Sequence, residues 1–218
     1  TAADAAQVAF GDASPAVAVS KTPSVGTIGE PGGPVTFAVE VENTGVEPVH
    51  LVSLADSVFG DLLDPENPIL SANTCPAQPS PIAVGGVFAC SFEASVAGDA
   101  GDPDHVNTVT AVVADDEGNH AFDTDEAAVA YGDVAPSIDV TKTADPGLVA
   151  EPGGLVTFRV RVANTGVEPV VLSSLTDDVF GDVLDPANPL LTDNSCTHGP
   201  LAIPTGNALT CSFQAFVA

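Results

Sequence analysis

The residues able to do chemistry in this chain are four cysteines, two lysines and an excess of carboxylates. Cys75 and Cys90 are 15 positions apart, and so are Cys196 and Cys211. A zinc site would want CxxC pairs or nearby histidine ligands, and a thiol redox motif would also be CxxC; neither occurs. The even, matched count predicts disulfides Cys75–Cys90 and Cys196–Cys211, with four buried free thiols as the alternative. Closing a loop of that size stabilises by about 3 kcal/mol on the chain-entropy model. It also implies an oxidising compartment, hence an extracellular or cell-surface location.

The carboxylates form runs. Asp56, Asp61 and Asp64 lie within nine residues around Gly60, and Asp177, Asp178, Asp182 and Asp185 do so around Gly181. Asp115-Asp116-Glu117-Gly118-Asn119, followed by Asp123 and Asp125, makes another run, and Asp99, Asp102 and Asp104 a further one. Hard oxygens beside a glycine bend are what a Ca²⁺ loop needs, although the spacing is not that of an EF-hand. The expected ligands are first Asp56, Asp61, Asp177 and Asp182, then Asp64, Asp115, Asp116, Asp178 and Asp185. The competing reading is that Asp, Asn and Gly are simply turn formers in a solvated acidic coat.

Lys21 and Lys142 occupy equivalent positions, each in inward-facing register on the first strand of its unit. A lone lysine in an acidic protein ordinarily makes a salt bridge. The sharper alternative is an intramolecular isopeptide bond to an asparagine such as Asn107. That chemistry requires a buried lysine, an asparagine and a nearby carboxyl, and burying an unpaired lysine is costly. Catalysis has no comparable support. His50 is replaced by Val171 and His198 by Ala77 in the other unit, and His105 and His120 fall in no motif. No GxSxG, HExxH or phosphate-cradling loop is present. Carboxylate pairs alone do not define a glycosidase, so the reading is non-enzymatic.

The elements that must position these residues follow from composition and repetition. The chain has 218 residues and a formal net charge of −26, with 30 acidic against 4 basic residues. Nucleic acid is excluded as a partner, since phosphate binding needs Lys and Arg patches, and anionic membrane surfaces are excluded for the same reason. No run of about 18 apolar residues exists, so the segment has no membrane span, and its start does not look like a signal peptide. Hydrophobic residues make up 44% but aromatics only 5%. Cores built from Val, Leu, Ala and Ile suit pleated sheets.

Self-comparison sets the organisation. Glu30-Pro31-Gly32-Gly33 recurs as Glu151-Pro152-Gly153-Gly154, Asn43-Thr44-Gly45-Val46-Glu47-Pro48 as Asn164-Thr165-Gly166-Val167-Glu168-Pro169, and Val58-Phe59-Gly60-Asp61 as Val179-Phe180-Gly181-Asp182. Every pair is 121 positions apart, without a gap, and roughly half of the aligned positions are identical. Val8-Ala9-Phe10-Gly11-Asp12 matches Val129-Ala130-Tyr131-Gly132-Asp133. Residues 1–13 therefore read as the last strand of a preceding repeat, 14–134 as a complete unit, and 135–218 as a second unit cut before its last strands. Alternation predicts strands at Val17–Lys21, Val35–Glu42, Phe88–Ala94 and Val106–Val112, with Pro-Gly-Gly at 31–33 as a turn. Strands of this length between turn signals indicate an all-β sandwich of about seven strands per unit.

These motifs resemble a known repeat. Ile138-Asp139-Val140-Thr141-Lys142-Thr143-Ala144, Glu151-Pro152-Gly153-Gly154, Val156-Thr157-Phe158, Asn164-Thr165-Gly166 and Leu175-Thr176-Asp177-Asp178-Val179-Phe180-Gly181-Asp182 together are similar to the bacterial surface-protein repeat called the "domain of unknown function eleven" type. The first unit departs from this pattern with Asp56-Ser57 in place of Asp177-Asp178. The resemblance implies tandem immunoglobulin-like β-sandwich repeats in long extracellular proteins. The expected function is a stalk or filament stabilised by disulfides and Ca²⁺. The alternative is a calcium-dependent adhesin module holding a carbohydrate or protein ligand. The expected partners are copies of itself or adjoining repeats, head to tail. Residues 1–12 of one copy could complete the last unit of the next by strand addition, a contact that does not close and so makes filaments. The same ends would arise if the chain is a window from a longer array.

Overall fold

A Val-rich alternating sequence with almost no helix-favouring stretch can bury its apolar residues only by pairing strands. The computed structural model describes residues 4, 6–9, 11–77, 81–196 and 201–218, and it is all-β, with several sheets and no helix among the described residues. The chain divides into two units, Thr1–Asp133 and Val134–Ala218.

Unit one contains β1 (Val17–Pro23), β2 (Thr27–Gly29), β3 (Gly32–Asn43), β4 (His50–Asp56), β5 (Gly60–Asp61), β6 (Val87–Ala97), β7 (His105–Ala114) and β8 (His120–Gly132). One sheet has the order β1-β3-β6 and the other β2-β8-β7-β4-β5, an arrangement consistent with a β-sandwich. All pairings are antiparallel except that of β2 with β8. The period of two in β3 decides its faces: Val35, Phe37, Val39 and Val41 are fully buried while Thr36, Ala38, Glu40 and Glu42 face solvent. Their core partners are Leu54 on β4, Phe92 and Val96 on β6, Val109 and Val113 on β7, and Val129 on β8.

The outer edge of β1 is capped by side chains rather than by another strand. The amides of Val19 and Lys21 donate to Asp123 and Asp125 of β8, at 2.8 and 2.7 Å. Two carboxylates thus cover donors that an edge strand would otherwise leave open to pairing. Pro-Gly-Gly opens β3 as a turn, and glycine is required there. Gly32 has φ +97°, and a Cβ on it would stand 2.1 Å from the Val96 carbonyl oxygen.

Unit two contains β9 (Ile138–Asp145), β10 (Gly154–Asn164), β11 (Val170–Leu172), β12 (Thr176–Asp177), β13 (Gly181–Asp182), β14 (Leu201–Ile203) and β15 (Ala208–Val217). Its sheets are β15-β10-β9, β11-β14 and β12-β13. Val160, Val162, Leu172, Phe180, Val183, Ile203 and Phe213 form its core. Every residue of β9 is exposed.

Residues 4, 6–9 and 11–16 carry no strand. A strand exists only through a ladder partner, and this segment pairs with none among the described residues; Thr1–Ala3, Ala5 and Phe10 lie outside them. The strand expected at Val106–Val112 does form, but Asn107, Val109, Ala111 and Val113 point inward and Val106 is exposed. Alternation defines two faces without saying which one meets the core.

Candidate functional site

The site that the fold builds most completely lies around Lys21. Its position on β1 turns the side chain between the two sheets, where the ammonium meets Asp56 at the end of β4, with both side chains wholly buried. Asp56 is held in place by its own turn: Oδ1 accepts from the amides of Val58 and Phe59 at 2.9 and 3.0 Å. That leaves Oδ2 for Lys21 and for the Asn107 amide, whose Nδ2 donates at 2.9 Å. The Lys21 ammonium also reaches the main-chain oxygen of Asn107 at 3.4 Å.

Aromatic rings close the chamber. Lys21 Nζ stands 4.7 Å from the Phe37 ring centroid, 5.8 Å from that of Phe92 and 6.0 Å from that of Phe59. His105, two residues before Asn107 on the same face of β7, lies 5.5 Å from Phe59. Among the described residues, two buried side-chain atoms have no hydrogen-bond partner, Asn107 Oδ1 and His105 Nε2. Orphaned buried polar atoms are uncommon and costly, and here both belong to β7. Burial pulls the Lys21 ammonium below the ordinary lysine value, against the opposing pull of Asp56 and Asp125. Burial likewise lowers His105, and the Lys21 charge adds to that against Asp56.

Unit two repeats half of this site. Lys142 pairs with Asp177, whose Oδ1 accepts from the amides of Val179 and Phe180 at 3.0 and 3.1 Å. Its ammonium stands 4.3 Å from the Phe158 ring. The Lys142 side chain is 35% exposed. Burial works to raise the Asp177 carboxyl, but the Lys142 hydrogen bond and the two amides hold it below the ordinary value.

The disulfides are those expected. Cys75 bonds Cys90 and Cys196 bonds Cys211, with Cα atoms 4.9 and 5.1 Å apart. Each ties a loop to β6 or β15. The loops are set by asparagines: Asn73 donates to the Leu62 carbonyl at 3.0 Å and accepts from the Cys75 amide at 3.0 Å, and Asn194 does the same with Val183 and Cys196 at 2.8 and 2.9 Å.

The expected calcium ligands are placed differently. Asp56 and Asp177 serve the lysines. Asp61, Asp64, Asp182 and Asp185 each accept from the amide two residues on, at 2.8–2.9 Å, closing local turns. Asp178 is exposed. None of these seven belongs to a convergent group of three among the described residues. Asp115 and Asp116 do. Ligand oxygens of Asp12, Asp115 and Glu117 lie within 4.8 Å of one another, as do those of Glu47, Asp116 and Glu117. All-oxygen donors of this kind suit Ca²⁺ rather than a softer metal. The Asp116 carboxyl beside it pushes Glu117 up. Asn119 closes this turn, donating its amide and side chain to Asp115 at 2.8 and 3.0 Å.

His50 and His120 join no catalytic arrangement among the described residues, and His198 lies outside them. Sequence reasoning missed Asp56 as the lysine's partner and His105 as a neighbour. The signal was present for the first: Lys21/Lys142 and Asp56/Asp177 recur with the same spacing. No helix among the described residues is long and apolar enough to cross a membrane. No protein-family model matches the chain, and no curated protein matches it.

Proposed function

We propose that this chain is a structural segment of an extracellular stalk or filament, made of tandem immunoglobulin-like repeats of the surface-protein type its motifs resemble. The observation that carries this is the recurrence, 121 positions apart, of the same disulfide and the same lysine–aspartate pair in both units. A binder varies its loops between copies; a stalk repeats the parts that resist unfolding. Disulfides persist in oxidising compartments, and the formal charge of −26 keeps such a surface soluble. An antibody raised against the chain and applied to intact cells of its source is expected to label elongated structures outside the envelope. Labelling only after permeabilisation would overturn the reading.

Calcium enters this proposal at Asp12, Asp115 and Glu117 and at Glu47, Asp116 and Glu117, where a divalent cation would relieve crowding between carboxylates. Thermal unfolding in Ca²⁺, in Mg²⁺ and with chelator, at matched ionic strength, tests it. A midpoint raised by Ca²⁺ alone supports bound ions; equal midpoints leave an acidic coat.

A further inference from the structure

We propose that Lys21 and Asn107 become joined by an amide bond, formed within the folded chain with Asp56 as proton carrier. This holds whether or not the protein is a filament, because it rests on the chamber in unit one alone. Three features point to it. A wholly buried lysine and an asparagine amide both contact one oxygen of the same buried aspartate. The amide's own oxygen, Asn107 Oδ1, is buried with no partner. The surroundings are Phe37, Phe59, Phe92 and His105, which exclude water and disfavour separated charge.

The step balances without any outside reagent. In an apolar chamber the ion pair relaxes by moving a proton from Lys21 Nζ to Asp56 Oδ2, leaving a neutral amine and a carboxylic acid; the direction in which burial moves Lys21 agrees. A half-turn of the Asn107 amide then lets the acid donate to Oδ1, satisfying the orphaned atom and polarising the carbonyl. The Nζ lone pair attacks Asn107 Cγ, and the carbonyl π pair moves to Oδ1. Asp56 carries a proton from Nζ to Nδ2, the Cγ–Nδ2 bond breaks, and ammonia leaves as the carbonyl reforms. The products are a secondary amide and one ammonia, and Asp56 is regenerated. Holding the groups in contact replaces an encounter in solution, which is how proximity accelerates such steps.

The consequence is mechanical. β1 belongs to the three-stranded sheet and β7 to the five-stranded one, so the bond ties the two sheets together across the core. Unit two repeats the lysine–aspartate pair as Lys142 and Asp177.

The experiment is intact-mass measurement of the reduced full chain, followed by peptide mapping. The expected mass is lower than the sequence mass by one ammonia, with a branched peptide joining the segments around Lys21 and Asn107. Lys21→Arg, which keeps the charge but cannot form the amide, should restore the full mass. Asn107→Asp should lose one water instead of one ammonia, which no merely structural role for Asn107 would produce. Tyr131 fluorescence confirms that each variant is folded. A wild-type chain at full mass would overturn the proposal. So would an ammonia loss without the branched peptide, since an asparagine can lose ammonia by cyclising on its own backbone.

Discussion

Lys21 and Lys142 start from the same local sequence and end in different environments. Each sits on the first strand of its unit, faces an aspartate closing the same turn, and lies over a phenylalanine of the next long strand. The Lys21 and Asp56 side chains are both 0% exposed, whereas Lys142 is 35% exposed. In unit one, β7 and β8 supply Asn107, His105 and the two aspartates that cap β1. A lysine–aspartate contact is thus a local feature, while its burial and its chemistry belong to strands far along the chain.

The largest test of that contrast is removal of the two aspartates. Asp56→Ala leaves a buried charge without a partner and should cost about 3–5 kcal/mol or more. Asp177→Ala removes a partner from an ammonium that water still reaches, and the ion-pair share of its cost should be about 0–1 kcal/mol. Urea unfolding followed by Tyr131, the only tyrosine and a residue of β8, reads unit one; hydrogen exchange of β10 and β15 amides reads unit two. Equal costs would mean that burial does not set the strength of the pair.

The disulfides should show no such contrast. Both close loops of the same 15-residue separation, so Cys75→Ser/Cys90→Ser and Cys196→Ser/Cys211→Ser should each lose about 3 kcal/mol. A clearly smaller loss in unit two, measured by the same exchange protection, would show that its loop is already loose.

Asn43 and Asn164 sharpen the comparison from the side of sameness. Asn43 donates to the carbonyls of Glu47 and Ile82 at 2.7 and 3.0 Å, and Asn164 to those of Glu168 and Ile203 at 2.6 and 3.0 Å. None of these partners lies on β7 or β8. Replacing either asparagine by alanine removes two side-chain hydrogen bonds to main-chain carbonyls and should cost about 1–3 kcal/mol in its own unit. Unequal losses would place the difference between the units well beyond the lysine site.

The smallest effect is a titration. Asp177 is held below its unfolded value, so the stability it contributes is present above about pH 4 and lost as pH falls through the folded value. The carboxyl carbon shift of Asp177 should titrate below that of a free aspartate. Lys142→Met should move it back upward; an unmoved titration would mean that the Val179 and Phe180 amides alone hold it.

Much of the fold was legible before any coordinates. The alternation in β3, the Pro-Gly-Gly turn and the pairing of Cys75 with Cys90 follow from local pattern or from matched counts. The inward register of Lys21 was legible too. The pairing of Asp56 with Lys21 was not legible in the turn itself, because a carboxylate beside a glycine turn looks the same whether its second oxygen faces solvent, a cation or an ammonium. His105 carried no signal, since its place beside Phe59 depends on which face of β7 meets the core.

What the amino-acid order determined by itself is what propagates along one strand or one turn: the two faces of each strand, the Asx turns, the glycine at Gly32, and the placing of a lysine and an aspartate at matching positions in both units. What only the tertiary structure decided is which of those pairs becomes a sealed chamber. Asn107 lies 86 positions from Lys21, and no local rule links them. They meet because two sheets pack face to face, and burial, the property that turns a salt bridge into a reactive pair, belongs to that packing.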